Sequence, residues 1–114
     1  MLILWPIIYL YLRHRIKIGK EDLKRFNERK GISKQKRPDG KLLWFHAASV
    51  GESISIINLV VDLAEEYNIL ITSGTVTSAE IISNRKPKNT IHQFVPIDRK
   101  KYVRKFLNHF KPDL

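Results

Sequence analysis

Between Lys41 and Phe110, short apolar runs alternate with amphipathic stripes. Leu42-Leu43-Trp44-Phe45-His46-Ala47 is apolar almost without a break, which predicts a strand buried on both faces. Ser53–Tyr67 follows with Ile56, Val60, Leu63 and Tyr67 on one helical stripe, and Ile57 and Ala64 beside it. Asn68–Thr72 predicts a second strand, and Ile91–Val95, stopped by Pro96, a third. Between these strands Thr77–Asn84 fits a short helix whose Thr77-x-x-Glu80 spacing suits a capping box. Asp98 is placed to cap a last helix, with Tyr102, Val103, Phe106, Leu107 and Phe110 three or four apart; Lys111-Pro112-Asp113 ends it. Three strand–helix alternations with short right-handed crossovers give an α/β domain, a parallel sheet flanked by helices in the doubly wound class. Three strands are half of a usual open sheet of this kind, so the sequence reads as part of a larger enzyme.

The first forty residues follow another pattern. Met1–Leu12 (MLILWPIIYLYL) carries no charge, but crossing a bilayer takes roughly 20 apolar residues. The stretch lacks the positive start and small-residue cleavage site of a signal peptide. Arg13–Lys20 then adds a cationic run. The combination suits a helix embedded in one leaflet, with Trp5, Tyr9 and Tyr11 at the interface and cations against anionic headgroups. The alternative is a helix packed on the domain's own core. Glu21–Lys30 places Leu23 and Phe26 three apart on an otherwise charged helix, and Gly31 offers a C-cap. Ser33–Lys41 reads as a solvated basic linker or membrane-facing patch with a Pro-Asp-Gly turn. The chain thus divides into an apolar and basic membrane-associated helix (1–18), a basic helix and linker (19–41), and a partial Rossmann-like domain (42–114).

Composition narrows the chemistry. The chain has no cysteine, which removes disulfides, thiolate metal sites and cysteine nucleophiles. Its formal net charge of +10 points to an anionic partner. Residues 1–46 hold 12 basic and 4 acidic side chains, and residues 47–114 hold 9 and 7, so most of the excess adjoins the apolar start. No aromatic residues alternate with the cations of 33–41 to stack bases, so nucleic acid is not expected. His14, His46, His92 and His109 share no metal-ligand spacing; neither metal nor cofactor is expected.

Ala47-Ala48-Ser49-Val50-Gly51-Glu52 joins the first strand to the first helix, at the sheet edge where open α/β folds bind ligands. It is neither G-x-G-x-x-G nor a P-loop, so no dinucleotide or Walker-type site is supported. Ala47, Ala48 and Gly51 leave the backbone accessible, and amides at a helix start attract anions. Ser49-x-x-Glu52 has capping-box spacing, and spacing alone favours capping over catalysis for Glu52. A carboxylate beside the positive end of a helix is also placed to accept a proton. His46 reads as a packed core histidine. Thr72-Ser73-Gly74-Thr75 reads as a plain strand-to-helix connection, and Arg85, Lys86 and Lys88 as a solvated cluster.

The stretch His46-Ala47-Ala48-Ser49-Val50-Gly51-Glu52 resembles the N-terminal domain of the 3-deoxy-D-manno-octulosonic acid (Kdo) transferases. The likeness extends to Glu28-Arg29-Lys30-Gly31, which is similar to the family's E-R-x-G segment, to Thr72–Ser78, to Phe94–Asp98, and to Phe106-Leu107-x-x-Phe110-x-Pro112-Asp113. The resemblance implies the N-terminal, acceptor-binding half of a two-domain GT-B glycosyltransferase at the cytoplasmic face of the inner membrane, attached peripherally or by a single pass. It implies a lipid A precursor as acceptor and CMP-Kdo as donor, the latter bound by a C-terminal domain. The family's catalytic carboxylate maps onto Glu52 as proton acceptor, reversing the order that spacing gives, and Ser49 and Gly51 are the candidate substrate-binding residues. The family's E-x-E-x-W-P segment and nucleotide-binding domain have no counterpart here, so a fragment inactive alone is expected. Two rival classes are a noncatalytic anionic-lipid-binding remnant and, last, a basic RNA-binding domain without an RNP or KH motif.

Overall fold

The structure, a computed structural model, describes residues 24–114. The predicted membrane-associated helix and the start of the Glu21–Lys30 helix lie outside the described residues. A 3₁₀ turn, Phe26–Lys30, leads into β1 (Leu42–Ala47), α1 (Val50–Leu63), β2 (Asn68–Ser73), α2 (Val76–Arg85), β3 (Thr90–Phe94) and α3 (Lys100–Phe110). The three strands are parallel, in the order β1-β2-β3. The α/β alternation read from the sequence is therefore present.

Strand alternation sends side chains to two cores. Ala47, Ile69 and Ile71 pack with Ile57, Val60 and Ala64 of α1 and its end and with Ile82 of α2. On the opposite face Leu42 and Leu70, with Trp44 and Ile91 beside them, meet Phe106 and Phe110 of α3. Two helices thus cover one face and the third covers the other. Central β2 is buried from Ile69 to Ser73, whereas β1 is fully buried only at Leu42 and Ala47. Burial of β1 on both faces, expected from its apolar run, fails because among the described residues β1 has one full strand neighbour, β2.

Several element starts differ from expectation, each for a local reason. Ser49 caps α1 by accepting from Glu52 N, so the helix begins at Val50 rather than Ser53; Ala64 is already its C-cap. Thr75, not Thr77, caps α2, its hydroxyl accepting from Ser78 N at 3.2 Å. Asp98 does not cap α3: Arg99 holds the N-cap position without a side-chain cap.

The described end of the expected Glu21–Lys30 helix is the 3₁₀ turn, and both it and the expected solvated linker, Ser33–Lys41, are docked in part. Glu28 accepts from Phe94 N at 2.8 Å, Arg25 and Gln35 both donate to His92 O, and Ser33 donates to Gln93 Oε1. These side chains clasp the outer edge of β3, which blunts an otherwise open strand. Arg29 Nη1 donates to Val95 O at 2.5 Å, and Ile97 N donates to Arg29 O. Gly31 then takes φ 77°, where a Cβ would lie 2.2 Å from Tyr102 O. Only glycine meets both demands. Arg37 reaches the other end of α3, donating to Phe110 O at 2.7 Å and pairing with Asp113 at 3.1 Å. Lys34 and Lys36, in contrast, are exposed.

Candidate active site

The carboxyl end of β1 is where the chain's connections diverge. Through α1 the chain passes from β1 to β2 on one side. Through α3 it returns to the other side, where Asp113 N donates to Leu42 O and Leu114 O accepts from Trp44 N. Reversal points of this kind are the usual ligand crevices of open α/β sheets. The Ala48–Glu52 turn stands there.

In that turn Ser49 Oγ accepts from Glu52 N at 3.1 Å, and Glu52 Oε2 accepts from Ala48 N at 2.6 Å. The two bonds form a reciprocal cap, with the carboxylate satisfying the amide just before the N-cap residue. Ser53, fully buried, donates its hydroxyl to Ser49 O at 2.9 Å. Glu52 itself is exposed, as are Ala48, Ser49 and Gly51. Its carboxylate is fixed by one oxygen and accessible to solvent. Among the described residues a Cβ at Gly51 would meet only Ser49 Oγ, at 3.9 Å, so none of them requires glycine there.

His46 is exposed, not packed in the core as the apolar run suggested, because it lies near the end of an outer strand. Its Nδ1 lies 2.9 Å from Thr72 Oγ1, which also accepts from Trp44 Nε1 at 3.0 Å. An indole N–H only donates, so the Thr72 hydroxyl proton is available to His46 Nδ1. Trp44 was not singled out from the sequence. The signal was its period-two spacing from His46, which sets both on one face of β1. Ser73 bonds His92 Nε2 at 2.7 Å on the opposite face. Burial first, then Arg25 and Lys86, push the His92 pKa down to about 3. Its Nδ1 has no hydrogen-bond partner among the described residues.

The structure therefore brings Ser49 and Glu52 together. It gives them no hydrogen bond to the His46–Thr72–Trp44 group or the Ser73–His92 pair among the described residues. Gly74 and Thr75 form the plain connection expected after β2. Among the described residues no group of three or more acidic or histidine side chains is arranged to hold a metal ion. No helix among them is long and apolar enough to cross a membrane.

The family profile described as 3-Deoxy-D-manno-octulosonic-acid transferase (kdotransferase) matches residues 24–114. The 3-deoxy-D-manno-octulosonic acid transferase of Rickettsia bellii (strain RML369-C) is 44% identical over 115 residues, covering 98% of this chain and 28% of that protein. The probable 3-deoxy-D-manno-octulosonic acid transferase, mitochondrial, of Arabidopsis thaliana is 38% identical over 111 residues, covering 95% of this chain and 25% of that protein. The Haemophilus influenzae (strain ATCC 51907 / DSM 11121 / KW20 / Rd) transferase of the same name is 31% identical over 80 residues, covering 68% and 19%. The chain spans roughly a quarter of the length of the first two relatives. No solved structure matches it.

Proposed function

Because the chain belongs to the 3-deoxy-D-manno-octulosonic acid (Kdo) transferase family, we propose that it forms the acceptor-side half of a glycosyltransferase. The whole enzyme moves Kdo from CMP-Kdo to a lipid A precursor at the cytoplasmic face of the inner membrane. In it, Glu52 accepts the proton of an acceptor sugar hydroxyl as that oxygen attacks the anomeric carbon and CMP leaves. Positive charge at that carbon develops as in other glycosyl chemistry. The observation that carries this reading is the Glu52 carboxylate, exposed at the carboxyl end of β1 and held by the Ala48 amide at 2.6 Å. A base so anchored loses little motional freedom when it meets its substrate.

Ser49 and Gly51 act in substrate binding. Gly51 supports this role by being exposed and without a side chain of its own, and both residues stand at the start of α1, where amides favour anionic groups. The donor nucleotide binds outside these 114 residues, so the chain alone neither binds CMP nor transfers Kdo. The test is reconstitution. This segment, fused in frame in place of the matching part of a longer relative, is assayed with CMP-Kdo and a lipid A precursor. Transfer by the fusion and none by the 114-residue chain supports the reading. A fusion that folds and binds both substrates without transfer, whatever the acceptor, contradicts it.

A further inference from the structure

The outer face of α3 is cationic from end to end. Lys100, Lys101, Arg104 and Lys105 are exposed, and Lys111 continues the row past the helix end. Their spacing sets them on the side away from buried Phe106 and Phe110. The helix contains no acidic residue, and none of these five cations forms an ion pair among the described residues. The preceding segment lies along the same helix: Gly31 abuts Tyr102 and Lys105, and Gln35 O is 2.5 Å from His109 Nε2. Its exposed Lys34 and Lys36 therefore flank the α3 row. Two apolar side chains stand among these cations, Leu107 at 39% and Ile32 at 44% exposure.

We propose that this α3 face docks the protein on an anionic membrane surface; this deepens the membrane reading above and rests on it. Headgroup charge meets the lysine and arginine row, while Leu107 and Ile32 enter the headgroup layer. A nucleic-acid strand fits less well. Ring stacking would need exposed aromatic side chains, whereas Tyr102 is half-buried beneath the Arg99 guanidinium. The uncharged Met1–Leu12 stretch ends twelve residues before Lys24, at most about 40 Å of chain. It can therefore meet the same bilayer as α3. Because α3 follows β3, its first lysines lie at the carboxyl end of the sheet, the end that carries Glu52. Docking by this face holds the proposed site close to the headgroups.

Two matched triple variants of the 114-residue chain separate a docking face from net charge. One is Lys101→Gln/Arg104→Gln/Lys105→Gln; the other is Arg85→Gln/Lys86→Gln/Lys88→Gln, at the end of α2 and on the loop that follows it. Co-sedimentation is measured with phosphatidylglycerol-containing and pure phosphatidylcholine vesicles, and circular dichroism verifies that both variants fold. A lysine or arginine at an anionic surface contributes about fivefold in binding. The α3 triple should weaken binding to anionic vesicles more than tenfold, in a salt-sensitive manner, while the loop triple changes it less than about threefold. If the triples weaken binding equally, or the α3 triple binds as the wild type does, the α3 face is refuted while membrane attachment stands. If the wild-type chain ignores anionic vesicles, both readings fall. Tighter binding to single-stranded RNA than to vesicles at the same salt would assign the face to nucleic acid instead.

Discussion

Replacing Glu28 with alanine should open the clasp on β3. The Glu28 carboxylate accepts from Phe94 N, Arg25 Nε and Arg25 Nη2, each at 2.8 Å, and its side chain is 13% exposed. Phe94 is 2% exposed, so its amide gains little from water when the acceptor is removed. A buried donor left unsatisfied costs about 1–3 kcal/mol. The Arg25 pair is partly exposed and adds at most about 1 kcal/mol after solvent screening. Glu28→Ala should therefore cost about 2–3 kcal/mol, which for a chain of this size lowers Tm by roughly 10 °C. Glu28→Gln keeps an acceptor for the amide and should lose about 1 kcal/mol or less. Thermal melts give the totals, and hydrogen exchange at the Phe94 amide localises the effect. An alanine variant that melts with the wild type, its Phe94 amide still protected, would show that Glu28 does not hold the strand edge.

Gly31→Ala should destabilise the fold by about 2 kcal/mol or more, since left-handed backbone alone costs an L-residue about 1–2 kcal/mol and its Cβ meets Tyr102 O at 2.2 Å; a urea midpoint equal to that of the wild type would disprove the close approach. Thr75→Ala removes the acceptor for Ser78 N and should cost about 1 kcal/mol, whereas Thr77→Ala should cost less than about half that; the reverse order in denaturant melts would restore Thr77 as the cap. His92 stays neutral in the fold down to about pH 3, while in the unfolded chain it takes up a proton near pH 6.5. Stability from this residue is full above pH 6.5 and falls towards pH 3, by up to about 1.4 kcal/mol per pH unit. His92→Gln should flatten the slope between pH 6.5 and 5, and an unchanged slope would exclude His92 as its source.

The strands and their order in the chain were legible because each apolar run is short and bounded by polar turns. Leu42–Ala47 was placed to the residue, and β2 and β3 within one residue at each end. Helix starts were less legible, for a reason visible in the caps themselves. A capping box at Ser49 and Glu52 requires Val50 to be the first helical residue, yet the apolar stripe begins later and drew the boundary to Ser53. Two threonines compete to cap α2, and Glu80 favoured the wrong one. The exposure of His46 depends on strand order, which periodicity does not encode. The clasp of 25–35 on β3 and the Arg37 anchor on α3 join residues 57 to 76 positions apart. No local pattern signals such pairs. Glu28 and Arg29 drew notice only through the E-R-x-G likeness, whereas Gly31 was already legible as a C-cap and holds that place at the end of the 3₁₀ turn; in the fold the segment has a structural role, binding β3 and leaving room for α3.

At the site, sequence spacing described the Ser49–Glu52 cap correctly, and the cap and the proposed base employ the same carboxylate. Separating them requires a substitution that keeps one role and removes the other. Glu52→Gln preserves an oxygen for the Ala48 amide and leaves the Ser49–Glu52 N bond untouched, but its side chain accepts no proton at neutral pH. General bases contribute about 10²–10⁴-fold in rate, whereas the cap is worth about 1 kcal/mol of stability. The decisive measurement is Kdo transfer from CMP-Kdo by an enzyme completed around this segment, with and without Glu52→Gln, alongside its Tm. A general base at Glu52 predicts a fall in kcat of at least about 100-fold with Tm nearly unchanged. Turnover within about threefold of the wild type would contradict it, leaving Glu52 a helix cap and the base elsewhere.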